Sequence, residues 1–473
     1  MVSSFLKTVL FDLPSLIFSI FAAISIKATF MHQPITYKSI WNVSYPIILG
    51  GIAQTVVNVT DTAFLGRVSE VALGASAIAG LFYVTVFMLG LGFSIGTQII
   101  VARYDGEKNY KEIVKVLDHS FYFMVPLAIV LFLFLKSFSP WILSYFVKSP
   151  EVLQSSIIYI DNRSWGILFA FAGLCIRSFY IGIANTRIVI YSTLISAVSN
   201  FILNYILVFG KFGFTPMGIA GSAMASSISE VISLLFVVSY TYFTMDFEKY
   251  NLFRFAKFNA ERIRSIFTVA APSMFQTFIA VWSWFVFFLI VEKMGERPLA
   301  ISNLIRNMYM ILMIPLMGFS SATNTLVSNL IGQGRQREVF EMIKKIALLC
   351  FGCTLFITLL NLINPRIALS VFTNDEGLIE ATLGSFYIIC GSLMMYSVTS
   401  ILLSSVSGSG NTLASLVIEV ITILFYLAAT WFVAQVMHLR IELVWCVEYV
   451  YFAFMGILAV WYLKRNLVYK NNE

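Results

Sequence analysis

The sequence predicts an all-α membrane protein with twelve transmembrane helices in two six-helix lobes, related by a parallel internal repeat. Three observations predict this fold class. Charged residues are scarce, long apolar segments follow one another along most of the chain, and many residues recur at one constant spacing.

The composition separates a membrane protein from a soluble one. The 473 residues are 59% hydrophobic and 12% charged, with a mean hydropathy of +0.86. Soluble domains carry about 25% charged residues, so this chain cannot cover a water-facing surface but can face the hydrocarbon of a bilayer. The net charge of +7 does not indicate a nucleic-acid partner, because the basic residues are spread over short loops between apolar segments.

Twelve segments beyond Tyr37 reach the roughly 20 apolar residues that a membrane-crossing helix needs. They are 41–65, 71–99, 113–135, 152–182, 187–210 and 217–243 in the first half, then 264–292, 298–328, 339–363, 377–407, 411–436 and 441–463. Lys and Arg are concentrated in the loops on the side of the two termini. The positive-inside rule therefore predicts cytoplasmic termini and an inner-membrane location.

The segments define the domain organisation. Residues 37–243 form the N-lobe, 244–263 a cytoplasmic linker, 264–463 the C-lobe and 464–473 a cytoplasmic tail. Residues 1–36 are an uncertain extension, whose apolar run 9–26 contains Asp12 and Pro14. That run is an extra membrane helix, an interfacial helix or a signal-like segment, unless translation starts at Met31, which we favour.

Many residues recur 226 positions later without a gap. Leu and Val matches carry little weight in so apolar a chain, so the argument rests on less common residues: Pro46 and Pro272, Glu70 and Glu296, Gly92 and Gly318, Gly106 and Gly332, and Asn185 and Asn411. Each half holds six segments, an even number, so both insert in the same orientation. Parallel repeats of this kind occur in transporters, with the substrate path between the halves.

Polar residues that break the repeat are the candidate functional residues, because ionisable groups inside a membrane normally face a cavity or a partner. Asp61 has Phe287 as its repeat partner, and helical spacing places it on one face with Gln54 and Asn58. The alternative is an interfacial acid at the helix end. Asn200 and Asn204, whose counterparts are Tyr426 and Thr430, offer oxygen ligands for Na⁺ or a polar shell for a protonatable acid. Their alternative role is helix–helix hydrogen bonding.

Two further sets of intramembrane polar residues are less clearly functional. Ser226 shares a helix face with Glu230, which either joins the same cavity or pairs with Arg163 or Arg177. In the second half, Gln276 is a possible cavity residue. For Arg306 with Glu419 or Glu448, we expect a structural ion pair rather than the alternative, a role in coupling.

The sequence contains few candidate catalytic or metal-binding residues. With three histidines and five cysteines, all five within apolar segments, we find no converging set for a metal centre or a catalytic triad. We therefore expect no enzyme activity and no cofactor apart from a coupling ion.

The candidate residues lie in motifs that resemble the multidrug and toxic compound extrusion (MATE) family. The resemblance rests on Pro46 with the run 58–66 (NVTDTAFLG), on 73–77 (LGASA), and on Asn200 and Asn204 followed by 218–226 (GIAGSAMAS). In the second half it continues through Pro272, Pro315 and 318–332, and overall it covers about 37–463.

The resemblance implies two lobes around a V-shaped cavity and export of small organic cations against an inward flow of Na⁺ or H⁺. It implies that Asp61 is the coupling acid, with Asn200, Asn204 and Ser226 beside it and Na⁺ held at Asp61 and Asn200. Many prokaryotic members carry an aspartate where Asn204 stands, which weakens the case for tight Na⁺ binding. We expect a monomer. A flippase for lipids or lipid-linked oligosaccharides from the same superfamily is the alternative.

Overall fold

The computed structural model describes residues 35–245, 250 and 255–468, which are helical apart from short connections. The N-lobe contains α1 (Tyr37–Gly66), α2 (Glu70–Gly106), α3 (Tyr110–Phe146), α4 (Pro150–Gly182), α5 (Arg187–Phe209) and α6 (Gly218–Thr244). All six predicted N-lobe segments therefore form helices. Several run well past the apolar segment, because polar residues at the membrane surface continue the same helix.

The C-lobe repeats this arrangement with more breaks. It contains α7 (Ala260–Glu292), α8 (Glu296–Leu312), α9 (Ile314–Gly332), α10 (Val339–Ile363), the short α11 (Pro365–Ser370), α12 (Glu376–Gly408) and α13 (Thr412–Trp431). Then follow α14 (Ile441–Trp445) and α15 (Val447–Leu463). A 3₁₀ turn precedes α10, and π-helical turns extend α13 and α15.

The predicted single segment 298–328 is wrong in one respect, because α8 and α9 meet at a bend of 47°. Pro315 stands in the first turn of α9. Proline has no N–H and its ring clashes with the carbonyl four residues earlier, so a helix bends or restarts there. In the part of the chain that the structure describes, 11 helices can cross a membrane, or up to 12 with the bent pair as one span.

Specific hydrogen bonds hold the start of α1 and the end of the linker between the lobes. Thr36 and Ser39 form a capping box that starts α1. The end of the linker lies on α3, since the backbone N–H of Ala256 donates to Asp118 (2.8 Å) and that of Asn259 to the His119 ring (3.0 Å). The predictions for 1–34, most of the linker and 469–473 fall outside the described residues.

The two lobes cross at a pair of repeat-related glycines. A Cβ on Gly106 would lie 2.2 Å from the carbonyl oxygen of Asn329, and one on Gly332 would lie 2.2 Å from that of Arg103. Arg103 and Asn329 are themselves 226 residues apart, so the same contact is made twice. Only glycine allows backbones to approach this closely.

A second glycine pair repeats the pattern. A Cβ on Gly92 would meet the Met274 Cα at 2.5 Å, and one on Gly318 would meet the Ile48 side chain at 2.4 Å. Ile48 and Met274 are again repeat partners. The parallel repeat predicted from the sequence is therefore present in the packing of α1, α2, α7 and α9.

Hydrogen bonds between the lobes cluster in one half of the molecule. The Gln98 side chain donates to the carbonyl of Ser321 (2.9 Å), and Ser328 donates to that of Ile99 (2.7 Å). Arg103 donates to the carbonyl of Ser409 (2.8 Å). These residues lie toward the ends of α2, α9 and α12 that we predict to be cytoplasmic. Within the described ranges, the inter-lobe hydrogen bonds all lie in this half.

Candidate ion-coupling site

Asp61 is the centre of a polar cluster formed by α1, α5 and α6. The amide nitrogen of Asn204 donates to Asp61 Oδ1 (2.7 Å), and the Ser226 hydroxyl donates to Asp61 Oδ2 (3.1 Å). Asn200 donates to the Ser226 oxygen (3.1 Å) and accepts from Asn204 (3.1 Å). The four residues chosen from the sequence thus form one continuous hydrogen-bonded set.

Burial differs within this cluster. Asn200 and Asn204 are 1% and 0% exposed and Ser226 is 8% exposed, while Asp61 is only partly buried. One acceptor stays unused: the Asn204 Oδ1 is buried and accepts no hydrogen bond from the described residues. The Asp61 carboxylate therefore rests on buried polar groups and stays partly accessible, so that an ion or a cationic molecule can reach it.

The glycine-rich start of α6 explains how the three helices come together. A Cβ on Gly221 would lie 2.8 Å from the Leu207 backbone, so α5 and α6 pack closely only because this position is glycine. The preceding turn leaves α5 through Gly210, whose φ of 65° is left-handed. This tight connection places Ser226 beside Asn200.

Glu230 lies one turn after Ser226 and binds Arg163 of α4. Its two carboxylate oxygens accept from the guanidinium at 2.6 and 3.0 Å. The same guanidinium lies over the Tyr83 ring, 4.2 Å from its centroid. Of the alternatives that the sequence left open for Glu230, the structure selects the pair with Arg163 rather than Arg177.

The remaining predicted cavity residues do not join the Asp61 cluster. Gln54 lines a cavity of the N-lobe whose lining includes none of the four cluster residues. Asn58 is exposed, and its side chain has no hydrogen bond with the cluster. Gln276 lies in the C-lobe, where it donates to Ser415 (3.1 Å).

The expected ion pair of Arg306 is wrong. Its guanidinium lies over the Phe288 ring, 5.3 Å from the centroid, and it forms no salt bridge within the described residues. Glu419 instead accepts from the Tyr451 hydroxyl (3.0 Å) and Glu448 from the Ser392 hydroxyl (3.0 Å). Both acids are buried, and neighbouring hydroxyl groups donate the hydrogen bonds that we expected from Arg306.

A match to a protein-family model shows the family to which this chain belongs. The MatE model matches residues 46–206 and again 272–432. The two matches start 272 − 46 = 226 residues apart and end 432 − 206 = 226 residues apart, the spacing of the internal repeat. The chain belongs to the MatE family. The resemblance inferred from the motifs is thereby confirmed.

Two curated relatives of this MatE family member carry the same description. A probable multidrug resistance protein NorM of Photorhabdus laumondii is 25% identical over 348 residues, 73% of this chain and 76% of that protein. A protein of the same description from Agrobacterium fabrum is 27% identical over 303 residues, 63% of this chain and 64% of that protein.

The fold of the MatE family member is also that of a solved structure. That structure is described as the outward-facing conformation of a multidrug resistance MATE family transporter of the MOP superfamily. It superposes with a TM-score of 0.84 at 17% identity, over 94% of this chain and 98% of that one. At this identity the likeness shows the fold alone.

Sequence reasoning missed three residues that contact intramembrane charged groups in this MatE protein, Arg163 for the first and a glutamate for the other two. Tyr83, Ser392 and Tyr451 each lie in an apolar segment where aromatic and small residues are common. Tyr83 alone gave a signal, because it recurs as Tyr309 in the repeat. For the other two, the contact depends on the relative rotation of neighbouring helices, which the sequence pattern does not fix.

Proposed function

We propose that this MatE family member is a secondary antiporter that exports small organic cations across the cytoplasmic membrane in exchange for H⁺ or Na⁺. The observation that carries the proposal is the Asp61 cluster. One partly exposed carboxylate sits on buried amide and hydroxyl groups, in the half of the N-lobe away from the hydrogen-bonded lobe contacts. The description of the curated relatives as multidrug resistance proteins supports the substrate class.

The mechanism is competition for one negative charge. An organic cation and a coupling ion each neutralise the Asp61 carboxylate, so both cannot bind there together. Ion binding from outside releases the organic cation, and loss of the ion inside frees the carboxylate for the next one. A ligand shifts a conformational equilibrium only by binding its two states differently. The lobe contacts at the cytoplasmic ends must therefore break when the neutralised cluster repacks.

The two coupling ions make different demands on the cluster. A proton binds one Asp61 oxygen and needs only the donor of that oxygen to turn away. Na⁺ prefers several hard oxygen ligands, so the Asn204 carboxamide would have to rotate and present its unused Oδ1. Replacing Asn204 with aspartate adds a charged oxygen ligand, and we expect that variant to depend more strongly on Na⁺.

The test is dye efflux from vesicles that contain the purified protein, under separate H⁺ and Na⁺ gradients. We expect one gradient to drive export of a cationic dye and Asp61→Asn to abolish the ion-driven part. Asp161→Asn is the matched control, since Asp161 is an acid at the protein surface paired with Lys136. Full ion-driven efflux by Asp61→Asn, with normal insertion, would refute the proposal.

A central cavity dominated by Arg163, Arg177 and Arg306 would favour the flippase alternative. Arg163 is neutralised by Glu230, and Arg306 lies in the C-lobe against Phe288. Arg177 and Arg306 have no salt bridge within the described residues, but they lie in different lobes. This arrangement favours the export of solutes over the transfer of a lipid-linked polyanion.

A further inference from the structure

A cavity lies among five helices of the N-lobe, toward the predicted cytoplasmic side of the Asp61 cluster. Its volume is about 140 Å³, and its lining comes from α1, α2, α4, α5 and α6. Sites for whole drug-sized molecules are about 300–1,000 Å³. This cavity therefore accommodates the charged end of a molecule rather than a complete one.

The charge balance of this cavity is positive. Two charged residues, Arg177 and Glu230, line it. Glu230 is already bound to Arg163 through two hydrogen bonds, so their charges cancel. Arg177 forms no salt bridge and no hydrogen bond with any of the described residues. A guanidinium stays protonated in proteins, and an unpaired one inside a membrane is costly and marks a functional site.

The uncommitted polar groups around Arg177 can act as hydrogen-bond donors. Gln54 and Ser196 line the cavity, and neither side chain forms a hydrogen bond among the residues described. The hydroxyls of Ser192 and Ser233 are already committed, because they donate to backbone carbonyls at 3.0 and 3.1 Å. An arginine, an amide and a free hydroxyl are the groups that recognise an oxyanion.

The C-lobe has no equivalent of this charge. The repeat partner of Arg177 is Leu403, which is 8% exposed, and the partner of Gln54 is Ala280. The arginine is therefore not part of the duplicated scaffold. It belongs with the residues that distinguish the N-lobe.

We propose that this cavity binds an oxyanion, a carboxylate or phosphate group, on the molecule that the protein carries, with Arg177 as its main ligand. The substrates that fit best are then zwitterionic, with a cationic part for Asp61 and an acidic part for Arg177. The inference rests on the proposed function for the statement that the bound molecule is transported. Binding of the anion does not depend on it.

The experiment compares two dyes that differ in one group. Rhodamine B carries a free carboxylate, and its ethyl ester carries none. Fluorescence anisotropy with the purified full chain in detergent, without any ion gradient, gives both affinities. We expect the acid to bind about tenfold more tightly, as for a hydrogen bond between charged groups. Arg177→Ala should remove this difference while leaving the ester affinity unchanged.

The matched control is Arg306→Ala, which removes another arginine without a salt bridge and should keep the preference for the acid. Equal affinities in the wild-type protein would overturn the proposal, and that comparison needs no variant to fold. An equal loss of both affinities in Arg177→Ala would also overturn it. Displacement of rhodamine B by dihexanoylphosphatidylglycerol would identify a lipid phosphate as an accepted oxyanion, and absence of displacement would restrict the site to carboxylates and phosphates of soluble molecules.

Efflux of the ester separates this inference from the proposed function. Ion-driven efflux of the ester without any preference for the acid would refute the oxyanion site and leave the antiporter intact. A preference for the acid that disappears in Arg177→Ala, without ion-driven efflux of either dye, would support the site and refute the antiporter.

Discussion

The N-lobe and the C-lobe share their scaffold but differ in their interiors. At three repeat-related positions the N-lobe has Asp61, Asn200 and Ser226, where the C-lobe has Phe287, Tyr426 and Phe452. The rings of Phe287 and Tyr426 are stacked, with centroids 5.9 Å apart. The duplicated helices therefore enclose a polar cluster in one lobe and an aromatic core in the other. Duplication preserved the contacts between the lobes and freed the interior of each lobe to diverge.

The intramembrane glutamates Glu230, Glu419 and Glu448 differ between the lobes in the same way. In the N-lobe, Glu230 has an arginine partner at 2.6 Å. In the C-lobe, Glu419 and Glu448 accept hydrogen bonds from the hydroxyls of Tyr451 and Ser392, and neither forms a salt bridge within the described residues. Removing the hydrogen-bond partner of a glutamate should therefore change the stability by different amounts in the two lobes. The predictions below run from the largest expected change to the smallest.

The largest effect should come from the shared scaffold, through Gly106→Val and Gly332→Val. Each new side chain would collide with the backbone of the other lobe, and overpacking of this kind costs about 3 kcal/mol. We expect both variants to lower the thermal unfolding midpoint in detergent by similar amounts. Gly74→Val and Gly352→Val are controls, since a Cβ there meets nothing within 4 Å. A large drop in the unfolding midpoint for only one of Gly106→Val and Gly332→Val would show that the two lobe contacts are not equivalent.

A smaller effect should follow from Arg163→Gln, which leaves the Glu230 carboxylate without its cation. Breaking a buried ion pair by removing one partner costs about 3 kcal/mol, and less when the pair is partly exposed, as here. The double variant Arg163→Gln with Glu230→Gln should recover most of the lost stability in the same unfolding assay. If the double variant is no more stable than Arg163→Gln alone, the pair does not act as a unit.

The smallest effect should come from Glu448→Gln in the C-lobe. Glutamine keeps the shape and can still accept the hydrogen bond from Ser392, and no ion pair is lost. We expect a change in unfolding free energy below about 1 kcal/mol and unchanged ion-driven efflux. A loss of coupling in this variant would move the coupling site to the C-lobe and contradict the comparison.

The sequence predicted the parts of this molecule that depend on regular periodicity. Helix spacing and the constant repeat singled out Asp61, Asn200 and Asn204, and the family resemblance placed Ser226 beside them. The bend before Pro315 was missed, since hydropathy alone does not distinguish one long helix from two. The partner of Arg306 was also missed, because long side chains reach different neighbours as their helices rotate.

The central claim is that one carboxylate in the N-lobe, Asp61, binds the coupling ion and the organic cation in competition. Its most direct test is the affinity of purified protein for a cationic dye as a function of pH, in the wild type, Asp61→Asn and Glu448→Gln. For proton coupling, the account predicts that affinity falls by up to about tenfold per pH unit on acidification in the wild type and in Glu448→Gln. In Asp61→Asn it should not depend on pH. For Na⁺ coupling, added Na⁺ replaces acid as the competitor, with the same pattern across the variants. Competition that persists in Asp61→Asn and disappears in Glu448→Gln would contradict the account.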